Sequence, residues 1–157
     1  MEEYTRPPEE NDLLALCAEL NRLEAKYLVI GGLAMNIHGL IRATDDVDFL
    51  IEDSLENQAR VKEALKILPE RAIEELGDDD IRDYTVVRVN DEITVDIMTS
   101  ACGVGYEQAK SEIKTKTLNG VAVPYASRQL MIQTKQGFRE KDKADLSYLK
   151  SLPEDQH

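Results

Sequence analysis

Asp46 and Asp48 stand one residue apart, and a Gly31-Gly32 pair precedes them, in the stretch GGLAMNIHGLIRATDDVDFLI from Gly31 to Ile51. The run before it, Tyr27-Leu28-Val29-Ile30, reads as a buried strand. Paired glycines let the backbone take conformations closed to other residues and let a ligand approach the main chain closely. A helix opened by such a turn offers unsatisfied N–H groups and the positive end of its dipole, both of which favour a polyphosphate. On the strand that follows, Asp46 and Asp48 project to one side while Val47, Phe49 and Ile51 project to the other. The apolar trio belongs against a core. The two carboxylates are left together, which is costly unless a cation joins them. Mg2+, or Mn2+ in its place, accepts carboxylate and phosphate oxygens together. A phosphate cradle beside a carboxylate-held cation is the apparatus of nucleotidyl transfer. Asp45 falls on the other face or in the loop and is not part of the pair.

A third acid is expected where a paired strand would put it. Asp83 to Val89 is rich in strand formers, Asn90-Asp91 reads as a two-residue turn, and Glu92 to Met98 reads as a second strand. In that strand Ile93, Val95 and Ile97 alternate with Thr94, Asp96 and Met98, so Asp96 points away from its apolar neighbours. If this strand lies beside the Asp46 strand, three carboxylates converge. That arrangement suits a two-metal site that activates a hydroxyl and stabilises a leaving pyrophosphate.

Candidate phosphate contacts are basic. Arg42 precedes the paired aspartates, and Lys135, Arg139 and Lys143 fall at i, i+4 and i+8, one stripe on a helix. Lys135 and Arg139 are the members placed near a triphosphate; a solvated helix face is the competing reading of the stripe. His38 is assigned to packing or to capping the short helix that ends near Gly39. Asp78-Asp79-Asp80 reads as a solvated loop and not as the metal site.

The elements that must position these residues follow from periodicity and turn signals. Asn11 is the expected cap of an amphipathic helix carrying Leu13, Leu16, Cys17, Leu20 and Leu23, after a stiff Pro7-Pro8. Ser54 starts a helix with Val61, Ala64, Leu65 and Leu68 inward, which Pro69 ends. Gly103 and Gly105 loosen the link to a short helix near Gln108. Lys114 to Tyr125 folds back through Asn119-Gly120, a strong hairpin signal. Ser127 caps a further helix, Gly137 breaks it, and a last helix runs through Leu146 and Leu149 to Pro153. The natural assembly is an α/β (α+β) domain, a mixed sheet with helices packed on it.

Length and composition set limits. At 157 residues and 42% apolar content the chain suits one domain spanning 1–157, with an acidic, proline-containing tail at 1–10 and a frayed end at 153–157. No run is apolar enough to span a membrane, and the first residues lack the apolar segment of a secretory signal. Cys17 and Cys102 have no metal-ligand spacing and read as reduced thiols, so a cytoplasmic protein without membrane contact is expected. A net charge of −12 argues against coating duplex DNA, where affinity comes from Lys and Arg neutralising phosphates. It leaves room for an RNA acceptor docked on a local patch.

The Gly31-Gly32 … Asp46-x-Asp48 string, with Asp96 from a later strand, resembles the signature of the polymerase-beta-like nucleotidyltransferase superfamily. The whole Gly31–Ile51 string is similar to small bacterial and archaeal members, among them the minimal nucleotidyltransferases and the nucleotidyltransferase toxins of abortive-infection systems. The segment VPYASRQLMIQTKQGFREKDKADLSYL resembles the closing Pro … Leu … Lys … Arg … Lys-Asp … Asp-Leu region of the abortive-infection type. The resemblance covers roughly Asn11 to Leu152. Many active members carry serine where this chain has Gly32; glycine occurs there too.

The resemblance implies a nucleotidyltransferase fold and the transfer of a nucleoside monophosphate from an NTP to an acceptor hydroxyl. It also implies a possible cognate toxin or antitoxin protein. In this reading Asp46, Asp48 and Asp96 hold the metals and Gly31 and Gly32 cradle the β- and γ-phosphates. The acceptor is RNA, protein or a small molecule. The alternative is a catalytically inactive member that binds nucleotide or a protein partner in the manner of an antitoxin. A plain metal-binding domain would leave Gly31-Gly32 and the basic stripe unexplained.

Overall fold

The computed structural model describes residues 5–41, 43–77, 80–83, 86–134 and 140–153, and only the backbone of 82, 83 and 140–142. Helix α1 (Glu10–Arg22) buries Leu13, Leu16, Cys17 and Leu20, as the helical spacing requires. Its cap is Glu9 rather than Asn11. The Glu9 N–H donates to the Asp12 carboxylate at 2.7 Å, and Arg6 donates two bonds of 2.7 Å to the same carboxylate. An acid at the third helical position reaching back in this way starts the helix earlier than an Asn11 cap would.

Strand β1 (Tyr27–Ile30) passes without a loop into α2 (Gly31–Ile37), followed by β2 (Asp46–Ile51) and α3 (Leu55–Leu65). The two glycines are therefore the first turn of α2 itself, not a turn preceding a helix at Leu33. Ser54 caps α3 as expected, its hydroxyl accepting from Asn57 N–H at 3.1 Å. The buried Asn57 side chain accepts from Lys26 N–H at 2.7 Å and donates to Lys26 and Glu52 carbonyls at 2.9 and 2.8 Å. One amide thus ties α3 to the start of β1 and the end of β2.

A 3-10 turn (Ala72–Glu75) and the short α4 (Asp80–Asp83) lead to β3 (Val86–Asn90) and β4 (Thr94–Met98). Asp83, expected in the strand, closes α4 instead. The connection between β3 and β4 is also longer than Asn90-Asp91. The Asp91 N–H donates to Ile93 O at 3.0 Å, and the buried Asp91 carboxylate accepts from the Glu70, Ala72 and Glu92 N–H groups. Those bonds hold Asp91 out of a tight hairpin.

A small ribbon, β5 (Ser100–Ala101) and β6 (Val104–Gly105), precedes α5 (Tyr106–Ala109). Then β7 (Ile113–Leu118) and β8 (Val121–Ala126) pair through Asn119-Gly120, where both residues have positive φ, 48° and 80°. This is the expected hairpin turn. Ser127 caps α6 (Arg128–Thr134) by accepting from Leu130 N–H at 3.2 Å, and α7 (Glu140–Ser151) ends the fold. The expected break at Gly137 lies outside the described residues, as do Asp78 and Asp79.

Six strands form one mixed sheet in the order β3-β4-β2-β1-β8-β7. β1 is antiparallel to β2 and parallel to β8; β2 is parallel to β4. Both hairpins, β3–β4 and β7–β8, lie at the sheet edges. A single hydrophobic cluster joins Leu16 and Leu20 of α1 to Leu28, Phe49, Ile97 and Leu149. The Tyr27 and Phe49 rings meet edge-on at 5.6 Å. This is the α/β architecture expected, a mixed sheet with helices packed on it. Among the described residues no helix is long and apolar enough to cross a membrane.

Candidate active site

Parallel pairing of β2 with β4 sets Asp48 directly opposite Asp96, and Asp46 opposite Thr94. Partners across a parallel pair share a face, so the three acids meet where alternation along each strand had sent them separately. Oxygens of Asp46, Asp48 and Asp96 lie within 4.8 Å of one another. Their surroundings differ: Asp96 is buried, whereas Asp46 and Asp48 are half-buried.

Asp48 carries the clearest electrostatic signature. Burial, then the charges of Asp46 and Asp96, push its carboxyl from 3.8 up to about 8. A carboxyl that resists ionisation because it is buried and because two others crowd it gains from a cation, whose charge offsets both penalties. The donor set, three hard carboxylates at one point, suits Mg2+ or Mn2+.

The first turn of α2 is built around this cluster. Gly31 has φ of +72°, the left-handed region, and a β-carbon there would collide with the Asp48 carboxylate, whose Cγ lies 2.8 Å away. Glycine is thus required twice, by conformation and by contact. At Gly32 a β-carbon would overlap the Cγ2 methyl of the buried Thr44. This contact accounts for the glycine: Thr44 fills the space that a β-carbon at position 32 would need. Gly31→Ala is expected to destabilise the protein by about 1–2 kcal/mol from the left-handed backbone alone, and to displace Asp48. Thermal melts combined with Mn2+ titration check this; native-like values in both would remove Gly31 from the site.

The other sequence candidates divide. His38 is a packing residue, as expected: its Nε2 lies 2.8 Å from Ala126 O and its ring meets Tyr125 edge-on at 5.4 Å. Tyr148 of α7 donates to the His38 carbonyl at 3.0 Å, which anchors the end of α2. Arg42, Lys135 and Arg139 lie outside the described residues, and Lys143 is exposed on α7. A cavity of about 400 Å³ lies beyond the Gly32–Thr44 contact, lined by Leu33, Ile37, Thr44, Leu118 and Lys116 among others. None of the three acids lines it.

Arg88 is the functional neighbour that the sequence reading missed. It faces Asp96 across the β3–β4 hairpin. Its Nε and Nη2 donate to the two Asp96 oxygens at 2.8 and 2.9 Å, and Nη2 also donates to Asp46 Oδ2 at 3.0 Å. Bonds to Asp96 and its charge hold the guanidinium even more firmly protonated than usual. The signal was present in the alternation of Val87 and Val89 around Arg88. A two-residue turn at Asn90-Asp91, however, would set Arg88 opposite Ile93 and send it to the wrong face. The longer turn restores the parity.

The architecture is that of the nucleotidyltransferase fold. Solved structures bear this out. A lincosamide antibiotic adenylyltransferase, LnuA, with lincomycin bound, superposes with a TM-score of 0.60 at 14% identity, covering 93% of this chain and 99% of that one. A protein of Thermotoga maritima put forward as a nucleotidyltransferase gives 0.57 at 15% identity, covering 96% and 98%. An antigenic nucleotidyltransferase-like protein of Paracoccidioides brasiliensis gives 0.52 at 17% identity, covering 92% and 78%. By sequence, no protein-family model matches the chain and no curated protein does.

Proposed function

We propose that this chain is a metal-dependent nucleotidyltransferase that moves a nucleoside monophosphate from an NTP to an acceptor hydroxyl and releases pyrophosphate. The observation that carries the reading is the convergence of Asp46, Asp48 and Asp96 within 4.8 Å, beside a glycine turn whose lack of a β-carbon leaves room for Asp48. Held by Asp46, Asp48 and Asp96, Mg2+ or Mn2+ would neutralise phosphate charge and acidify the attacking hydroxyl. Asp96 takes the hydroxyl proton, its buried position keeping it aimed. Backbone N–H groups of Gly31 and Gly32, in the first turn of α2 where such groups lack helical partners, donate to the β- and γ-phosphates. Arg42, Lys135 and Arg139 are proposed triphosphate contacts on their charge alone. Positioning and charge stabilisation carry most of the rate, as in other phosphoryl chemistry.

The acceptor panel includes RNA, protein and small hydroxylated molecules, the last because one structural neighbour is an adenylyltransferase solved with an antibiotic bound. A toxin–antitoxin setting rests on the resemblance of the closing segment to the abortive-infection type, and a cognate protein partner belongs with that proposal.

A second reading, a nucleotide-binding or antitoxin-like module without turnover, draws support from Arg88, which already neutralises part of the triad. The test is incubation with Mg2+ and each α-labelled NTP, with and without total RNA, lysate protein and small hydroxylated compounds. Cation-dependent pyrophosphate release with label transfer is expected. Tight NTP binding without turnover across the panel would favour the second reading.

A further inference from the structure

The guanidinium of Arg88 occupies two of the three carboxylates that the proposed reading gives to metal. Both Asp96 oxygens accept from it, and so does Asp46 Oδ2. The partners differ in freedom. The Asp96 side chain is 8% exposed, at the heart of the sheet, while Arg88 is 56% exposed on β3, the strand at one edge. Arg88 can therefore swing into solvent at little cost to the core, and Asp96 cannot follow it. Antiparallel register keeps the two α-carbons paired whichever way the side chain points, so return is equally direct.

Charge sets the sense of the exchange. With all three acids ionised, as a bound cation would hold them, three carboxylates and one guanidinium leave two formal negative charges, which one divalent cation cancels. A second cation leaves two excess positive charges; withdrawal of Arg88 halves that excess, and a triphosphate arriving with its own negative charge removes the rest. Like charges a few ångströms apart in a partly shielded site repel strongly.

We propose that Arg88 is an internal competitor for the divalent cation: in the metal-free protein it holds Asp96 and Asp46 in place, and it must release Asp96 for the acceptor-side position to fill. This rests on the reading of the triad as a metal site. Arg88 is a positioning residue in this scheme; it steadies the acids before loading and delays full loading until nucleotide supplies compensating charge.

Mn2+ affinity measured by calorimetry without nucleotide is the test. Arg88→Gln is expected to bind Mn2+ about ten-fold or more tightly than the native protein. Arg88→Lys keeps the charge and should stay within a few-fold of native. Metal-free Arg88→Gln should melt lower and recover more on adding Mn2+. In the native protein, the Arg88 Nε–H resonance should lose its exchange protection as Mg2+ and NTP are added together, a readout that survives if the variant folds poorly. Unchanged or weaker Mn2+ binding in Arg88→Gln, or protection that persists at saturating Mg2+ and NTP, overturns the proposal. When native binding is present and abolished by Asp48→Asn, that negative result falls on Arg88 alone. When neither native nor variant protein binds Mn2+, the metal-site reading falls and takes the competitor role with it.

Discussion

Asp48→Asn is expected to abolish metal-dependent NTP binding and, in the absence of metal, to make the protein more stable. Both effects have one cause. Burial, then the charges of Asp46 and Asp96, push the Asp48 carboxyl up to about 8. Between 3.8 and about 8 the folded chain retains a proton that the unfolded chain has released. Stability of the metal-free protein therefore falls as pH rises through that window. An amide of the same shape carries no charge to crowd. One pKa unit corresponds to about 1.4 kcal/mol, so even a fraction of this shift predicts a gain of about 1 kcal/mol or more at pH 8, seen as a melting point higher by about 2–4 °C. At pH 5, where Asp48 is already protonated in the folded chain, the advantage should shrink. Calorimetry with Mg2+ and NTP, beside melts at both pH values, reads both halves. Unaltered metal-dependent NTP affinity would sink the site assignment. A variant less stable than native at pH 8 would show that Asp48 is held by bonds rather than crowded by charge.

Asp96→Ala is expected to leave NTP affinity within a few-fold of native while transfer falls by about two orders of magnitude or more, the scale of a lost general base or acceptor-side ligand. The reasoning is positional. Asp48 adjoins the glycine turn proposed to receive the phosphates, whereas Asp96 lies one strand further along the sheet, paired with Asp48 and capped by Arg88. Loss of Asp96 leaves Arg88 its bond to Asp46 and its access to solvent, so the fold should survive. Single-turnover label transfer set against equilibrium NTP binding separates the two quantities. Equal losses in both would mean that Asp96 builds the nucleotide site itself.

Much of this arrangement was legible in the chain. Alternation placed Val47 and Phe49 opposite Asp46 and Asp48, and it placed Asp96 away from Val95 and Ile97, because the period of a strand is a property of covalent geometry. Ser54, Ser127 and Asn119-Gly120 marked their caps and hairpin because the chemistry of each is local. The Gly31-Gly32 and Asp46-x-Asp48 motifs marked residues that the structure brings together with Asp96.

What the chain alone left open depended on partners distant in sequence. The Asn11 cap is the local exception: it gave way to Glu9 because Asp12, gripped by Arg6, reached back to it. The β3–β4 turn lengthened because Asp91 found N–H partners at Glu70 and Ala72. That one change in register turned Arg88 from the apolar face onto Asp96 and Asp46. Gly32 is explained only by Thr44 packing against it. Local patterning determined which residues could do chemistry. Tertiary structure decided which of them meet and which cation already stands among them, since register and close approach are settled by contacts that no sequence window contains.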